Sequence, residues 1–181
     1  MTITLNGTTG INTPGVVNTA AETVATTLAV TGVSTLTGGF TVGATAAPAF
    51  SAYAGATTSV SNDTFTKVLF SLENFDTNNN FASSRFTPTV AGYYQINANI
   101  GFPVATGLRI ALYKNGSVYV VNSADGTSAV LDGYGHTAAL IYCNGSTDYI
   151  EVYAYSNGNG TTTVYAGASI TQFSGAMVRS A

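Results

Sequence analysis

Few side chains in this sequence could carry bond-making chemistry, and their spacing decides what is open to them. His136 is the one histidine and Cys143 the one cysteine. A catalytic constellation needs a nucleophile or a metal, a base in reach and a third group to orient it. His136 stands by itself in Gly133-Tyr134-Gly135-His136-Thr137, so a histidine-rich metal site cannot form within one chain and would need three copies around an axis. Alone, it reads as a hydrogen-bonded structural residue at a loop–strand junction. Cys143 lies between Tyr142 and an Asn-Gly turn, with no basic neighbour in sequence to favour its thiolate. It reads as a small, half-buried residue at a strand end, and it cannot form an internal disulfide.

The carboxylates are scattered. Asp125, Asp132 and Asp148 fall in glycine-containing loops and Asp76 sits among asparagines, without the Asp-x-Asp-x-Asp spacing of a calcium loop. Asp and Asn are also ordinary turn residues. No catalytic residue, metal or cofactor is expected, and Asp76, Asp125, Asp132 and Tyr134 remain as candidates for a ligand-binding loop. The 11 tyrosines are more informative. Tyr93, Tyr113, Tyr149, Tyr153 and Tyr155 fall opposite the apolar residues of their strands, where a monomer would leave them in water. Two covers are open: an interface between copies of the chain, in which large rings bury much area at low entropic cost, or a carbohydrate on which the rings stack. The first suits most of the five, and Tyr134 is better placed for ligand.

The elements that must position these residues are strands. From Phe50 onward, apolar and polar residues alternate in short runs bounded by Gly, Asn, Asp and Pro. Thr66–Leu72 reads as one strand, 74–81 as a polar loop between aromatics, and Tyr93–Phe102 as a long strand with Tyr94, Ile96, Ala98, Ile100 and Phe102 on one face. Leu108, Ile110 and Leu112 share the inward face of the next. Asn115-Gly116 supplies the positive-φ pair of a tight hairpin that returns through Val118–Val121. Ala138–Tyr142 and Tyr149–Tyr155 read as a further pair, and helix signals are absent from this region.

At 181 residues the chain has room for one core domain and an appendage. Only 7% of residues are charged and the net charge is −3. No Lys or Arg precedes Lys67 and no basic cluster occurs, which removes the electrostatic footing for nucleic-acid binding. Met1–Asn6 lacks a basic region and a continuous apolar run, so no secretory leader is expected, and no membrane insertion either. Sequons such as Asn115-Gly116-Ser117 read as turn chemistry.

Residues 1–47 form a different segment, dominated by Thr, Gly, Ala and Val, with Phe40 its one aromatic and Glu22 its one charge. A short strand and a turn at Pro14-Gly15 are expected, and residues 20–28 suit either one or two helical turns or extended chain. Leu28-Ala29-Val30-Thr31-Gly32 and Phe40-Thr41-Val42-Gly43 are two short copies of an apolar-x-apolar pattern closed by glycine. Three chains wound about one axis could bury such thin strands.

Five motifs in order carry a resemblance. Pro48-Ala49-Phe50-Ser51-Ala52, then Phe86-Thr87-Pro88-Thr89-Val90-Ala91-Gly92-Tyr93-Tyr94, Gly107–Gly116, Asn144–Val152 and Ser169-Ile170-Thr171-Gln172-Phe173-Ser174-Gly175 together resemble the C1q-like domain over residues 48–178. The resemblance implies an all-β, ten-stranded jelly-roll β-sandwich (C1q/TNF-like) that assembles as a homotrimer, with the five tyrosines above at its interface. The opening Met1–Gly15 and Val30–Gly39 resemble N-terminal regions of bacteriophage tail-fibre and virion-appendage proteins. Together these imply a non-enzymatic virion surface protein on the capsid exterior or tail. Residues 1–47 would form an extended arm that binds other virion proteins and intertwines with its copies, and residues 48–181 the head. Either a short tail fibre that recognises a host surface glycan or a capsid decoration (cement) protein fits, and a free-standing bacterial C1q-like binding module is the alternative.

Overall fold

The computed structural model describes residues 47–103, 108–124, 133–157 and 160–181, all within one compact unit. The expected arm over residues 1–47 lies, but for Ala47, outside the described residues. Among those residues there are thirteen strands and no helix: β1 (Ala49–Tyr53), β2 (Thr58–Val60), β3 (Thr66–Lys67), β4 (Leu72–Asp76), β5 (Phe81–Ala82), β6 (Arg85–Phe86), β7 (Ala91–Phe102), β8 (Leu108–Lys114), β9 (Ser117–Ala124), β10 (Gly133–Asn144), β11 (Ile150–Ser156), β12 (Thr162–Val164) and β13 (Gln172–Ser180). Ten of them have three residues or more, and β3, β5 and β6 are two-residue pieces.

The strands form a sandwich. One sheet has the order β10-β7-β13-β1-β4, and the other β5-β6-β11-β8-β9 with β3 also on β11. A small third sheet pairs β12 with β2. All the pairings between strands are antiparallel. The alternation read in the sequence sets this arrangement. On β7, Tyr94, Ile96, Ala98, Ile100 and Phe102 are buried while Tyr93 and Asn97 are exposed. On β8 and β11, Leu108, Ile110, Leu112, Ile150, Val152 and Ala154 face inward to meet them.

Between the sheets Phe50 stacks on Phe86 at 4.3 Å and on Phe81 at 5.1 Å, and meets the edge of Phe173 at 4.8 Å. Such offset and edge-on pairs suit the ring quadrupole as well as burying area. Room for them depends on Gly175, where an added Cβ would come within 2.6 Å of Ile96 Cδ1 and 2.9 Å of Phe50. The buried Tyr94 hydroxyl donates to the Val90 carbonyl at 2.6 Å, which satisfies the one polar atom of that ring and ties β7 to the turn before it. Asn115 and Gly116 take φ of 53° and 78°, as the hairpin between β8 and β9 requires.

Three expectations need correction. Thr66–Leu72 is not one strand: β3 ends at Lys67 and β4 begins at Leu72. Between them Phe70 bonds the Ser84 side chain through both N–H and carbonyl, and the Leu69 N–H donates to Thr58 Oγ1, so side chains replace the ladder. The polar segment 74–81 is partly strand, because Ser51 pairs with Phe75 and Phe50 with Asp76 beyond a bulge that falls between Ser51 and Ala52. Finally, Ala138–Tyr142 and Tyr149–Tyr155 do not pair. The first stretch, within β10, lies on β7, and β11 lies on β8 in the other sheet, since a Greek-key connection separates what chain order places together.

Phe173→Ala removes a fully buried ring that touches three others. A loss of about 3–5 kcal/mol is expected, read as a lower urea midpoint with an unchanged slope.

Candidate functional site

The two outer faces of the sandwich are built differently, and the five tyrosines divide between them. Tyr113, on β8, and Tyr153 and Tyr155, on β11, project from the six-stranded sheet, with Tyr149 just before β11. Tyr93 projects from the five-stranded sheet on the other side. The structure therefore brings four of the five together and leaves Tyr93 apart.

The four are half-buried by their own chain. Tyr113 and Tyr153 stack at 4.0 Å, Phe65 packs on Tyr113 and Tyr155, and the Arg85 guanidinium lies 3.8 Å over the Tyr149 ring. Beneath them is Glu151, whose side chain is 3% exposed although it points to the outer face. Lys67 Nζ lies 2.7 Å and Arg85 Nε 2.9 Å from Glu151 Oε1, and the Tyr153 hydroxyl is 3.3 Å from Oε2. Burial alone would raise the Glu151 carboxyl, but the hydrogen bonds and charge of Lys67 and Arg85 outweigh it and hold the group below its ordinary value. This cluster escaped the sequence reading. Its signal was a lone carboxylate inside the apolar run of β11, but its cations lie 84 and 66 residues away in sequence.

The candidate loop residues fare unevenly. Asp76 is a structural cap: its carboxylate accepts from the Asn78 N–H at 3.2 Å and the Phe81 N–H at 2.7 Å, closing the turn after β4. Asp125 and Asp132 lie outside the described residues. Tyr134 is on β10 rather than at a loop tip, and its ring is 51% exposed. Asp148 closes the hairpin end, accepting from Asn115 Nδ2 at 2.7 Å and the Asn144 N–H at 3.0 Å beside Lys114 Nζ at 2.9 Å. The Asn115 bond, with help from Lys114 and the Asn144 N–H, outweighs burial and holds this carboxyl low as well. Cys143 is fully buried near the end of β10, and burial pushes its thiol up to about 11, the opposite of an activated nucleophile. His136 lies within β10, not at a junction, and is exposed on the outer face. Among the described residues no group of three or more His, Cys, Asp or Glu is placed to hold a metal ion.

Among the described residues the five-stranded sheet has no such cover. One half of its outer face is apolar: Tyr93, Leu140, Tyr142 and Val178 are 42%, 53%, 41% and 58% exposed. Tyr93 and Tyr142 pair across β7 and β10, and Tyr93, Leu140 and Val178 line, with Arg179, Ser180 and Ala181, a shallow depression of about 610 Å³ at the C-terminal end. At the sandwich edge β9 exposes Tyr119 beside this patch, whereas Val118 and Val121, paired with Tyr113 and Ala111, are exposed on the side of the six-stranded sheet. The Tyr119 hydroxyl reaches the Leu140 carbonyl at 3.3 Å. The other half of the face is uncharged and polar, lined by Asn97, Asn99, His136, Gln172 and Ser174.

The arrangement can be set against known structures. No protein-family model matches the sequence, and no curated protein matches it. Solved structures do. The chain is similar to the TNF protein Eiger of S. frugiperda (12% identity, TM-score 0.55, covering 75% of this chain and 93% of that one) and to the globular domain of zebrafish complement 1qA (17%, 0.51, 74% and 98%). Murine APRIL is similar too, with 12% identity, a TM-score of 0.56, and 73% of this chain and 99% of that one covered. The described residues fold as a C1q/TNF-like jelly roll. Its all-β sandwich agrees with the fold expected from the five motifs. At these identities the likeness carries the fold, and the faces of this jelly roll must be interpreted from their own residues.

Because Glu151 and Asp148 titrate lower in the folded than in the unfolded chain, their contribution is complete above the ordinary carboxylate range and is lost as pH falls through the folded-state values. Glu151→Gln, which leaves Lys67 and Arg85 without their carboxylate, is expected to cost about 2 kcal/mol near neutral pH. It should also flatten the fall in stability toward acid, measured as urea midpoints across a pH series. Cys143 is expected to resist alkylation in the native protein and to react once the chain is denatured.

Proposed function

We propose that the chain is a non-enzymatic, homotrimeric binding head, carried on a phage virion surface as a short tail fibre or a capsid decoration protein. The observation that carries the assembly is an apolar band that no described residue covers. Tyr93, Leu140, Tyr142 and Val178 on the five-stranded sheet are joined at the edge by Tyr119, whose hydroxyl reaches the Leu140 carbonyl. They lie on a chain with 7% charged residues, and an exposed apolar patch of this kind marks an interaction surface. A face on one copy meeting an edge on the next is a heterologous contact, which closes as a ring when three rotations bring the last copy back to the first. That closure suits the homotrimer implied by the C1q resemblance.

In this reading Tyr93 belongs to the interface. Tyr113, Tyr149, Tyr153 and Tyr155 lie on the far side, where their own chain already packs against them. The virion assignment is supported by the resemblance of residues 1–15 and 30–39 to tail-fibre and appendage N-termini, and by a surface of hydroxyls and amides suited to close packing in a durable particle. Three heads on one axis, repeated around a particle, would make weak individual contacts lasting.

A trimer that unfolds to monomers has a melting temperature that rises with protein concentration. The intact chain is expected to show this rise. Leu140→Glu, which places a charge in the band without touching the core, should abolish the dependence while leaving the β-sheet circular dichroism unchanged. A concentration-independent melt in the unsubstituted protein would contradict the assembly.

A further inference from the structure

Four of the chain's five basic side chains, Lys67, Arg85, Arg109 and Lys114, lie on strands of the six-stranded sheet. The acids that pair with them sit deeper than they do. The Glu151 side chain is 3% exposed against 26% for Lys67 and 42% for Arg85, and Asp148 is likewise less exposed than Lys114. Each pair therefore turns its positive end toward water. At Glu151 two cations meet one carboxylate, which leaves one positive charge unbalanced, and no other carboxylate pairs with either cation among the described residues.

Arg85 is held there in a fixed pose. Its Nε donates to Glu151 Oε1 at 2.9 Å and its guanidinium lies 3.8 Å over the Tyr149 ring, so both the direction and the plane of the group are set. Its end-on pair of terminal N–H groups is left without a hydrogen bond among the described residues. Lys67 Nζ stands beside it, bonded to the same Oε1 at 2.7 Å and to the Ser83 carbonyl at 2.8 Å, with a third N–H to spare. A guanidinium ordered in advance loses less freedom when it grips two oxygens than one that must first be ordered. Arg109 makes the contrast: it is exposed on the same face, 5.5 Å from the Tyr155 ring, and no carboxylate holds it among the described residues.

We propose that Arg85, with Lys67 beside it, binds the carboxylate of an acidic sugar. The end-on fork matches the two oxygens of a carboxylate, and the single unbalanced charge matches a monoanion. The rings around it are already packed: Tyr113 on Tyr153, and Tyr149 under Arg85. They offer hydroxyls and edges to sugar hydroxyls, and little open apolar area to a protein segment, which favours a glycan over an acidic peptide. The site also stays clear of the apolar band, because β6 is three strands from β9, or about 14 Å at the spacing of paired strands. The inference rests on the reading of the head as a binding module and names its ligand class, independently of the assembly.

The test is binding of the full chain to immobilised oligogalacturonate and sialyllactose, with methyl-esterified oligogalacturonate, sulfated glycans and oligoglutamate alongside. Saturable binding to a carboxylate-bearing sugar is expected, with loss on esterification. Arg85→Lys keeps a cation on Glu151 but removes the fork, and should weaken binding about tenfold, the loss of one charge-assisted hydrogen bond. Arg109→Gln removes the same charge from the same face and should leave binding unchanged. Should Arg85→Lys misfold, Tyr149→Leu, which takes away the ring beneath the guanidinium, serves as the second variant and should also weaken binding. No binding to either acidic sugar, equal binding to the ester, preference for sulfated glycans or oligoglutamate, or an equal loss in Arg109→Gln would overturn the proposal. Assembly mass on the same samples separates the two readings. A trimer that binds neither acidic sugar overturns this site alone, and a monomer that binds through Arg85 overturns the assembly alone.

Discussion

Phe50 is held between Phe86, Phe81 and Phe173, and this contact between the sheets fixes what every other strand residue can do. Strand side chains alternate with a period of two, so committing Phe50, Ile96 and Phe173 to the core commits Ser51, Asn97 and Ser174 to the outer face. A one-residue slip would bury the amides and expose the rings. The polar and apolar halves of the outer face are thus consequences of core packing as much as of their own residues.

The asymmetry between the two outer faces follows from where the few charges fall. Lys67, Arg85 and Glu151 converge on the six-stranded sheet and are roofed by tyrosines. That layer satisfies itself within one chain: the carboxylate has two cations, and the rings have one another and Phe65. The five-stranded sheet places no carboxylate in its polar rows, and its apolar half has no roof within the described residues. A partner surface is therefore argued for the second face and not for the first, although the first carries more tyrosine.

Much of the fold was legible because it depends on local pattern. The alternation along β7, β8 and β11 and the Asn115-Gly116 turn each act over a few residues, and the order of the five motifs carried the jelly roll. What was not legible depends on long-range pairing. Partnering β10 with β7 instead of β11 needs knowledge of which sheet each strand enters, and the division of the tyrosines between faces follows from that. Likewise the burial of Glu151 was not legible, because Lys67 and Arg85 come from distant strands. The amide rows were invisible for the same reason: Asn97, Ser174 and Ser51 stand in line only after three strands are brought into register.

The central claim is that the uncovered band is closed by copies of the same chain. The mass of the intact protein in solution, by light scattering over a range of concentrations, tests it most directly. The account predicts a species of three times the 18.4 kDa chain mass that persists on dilution. A mass of one chain at every concentration would contradict it and leave the band of Tyr93, Leu140, Tyr142 and Val178 in need of a different partner.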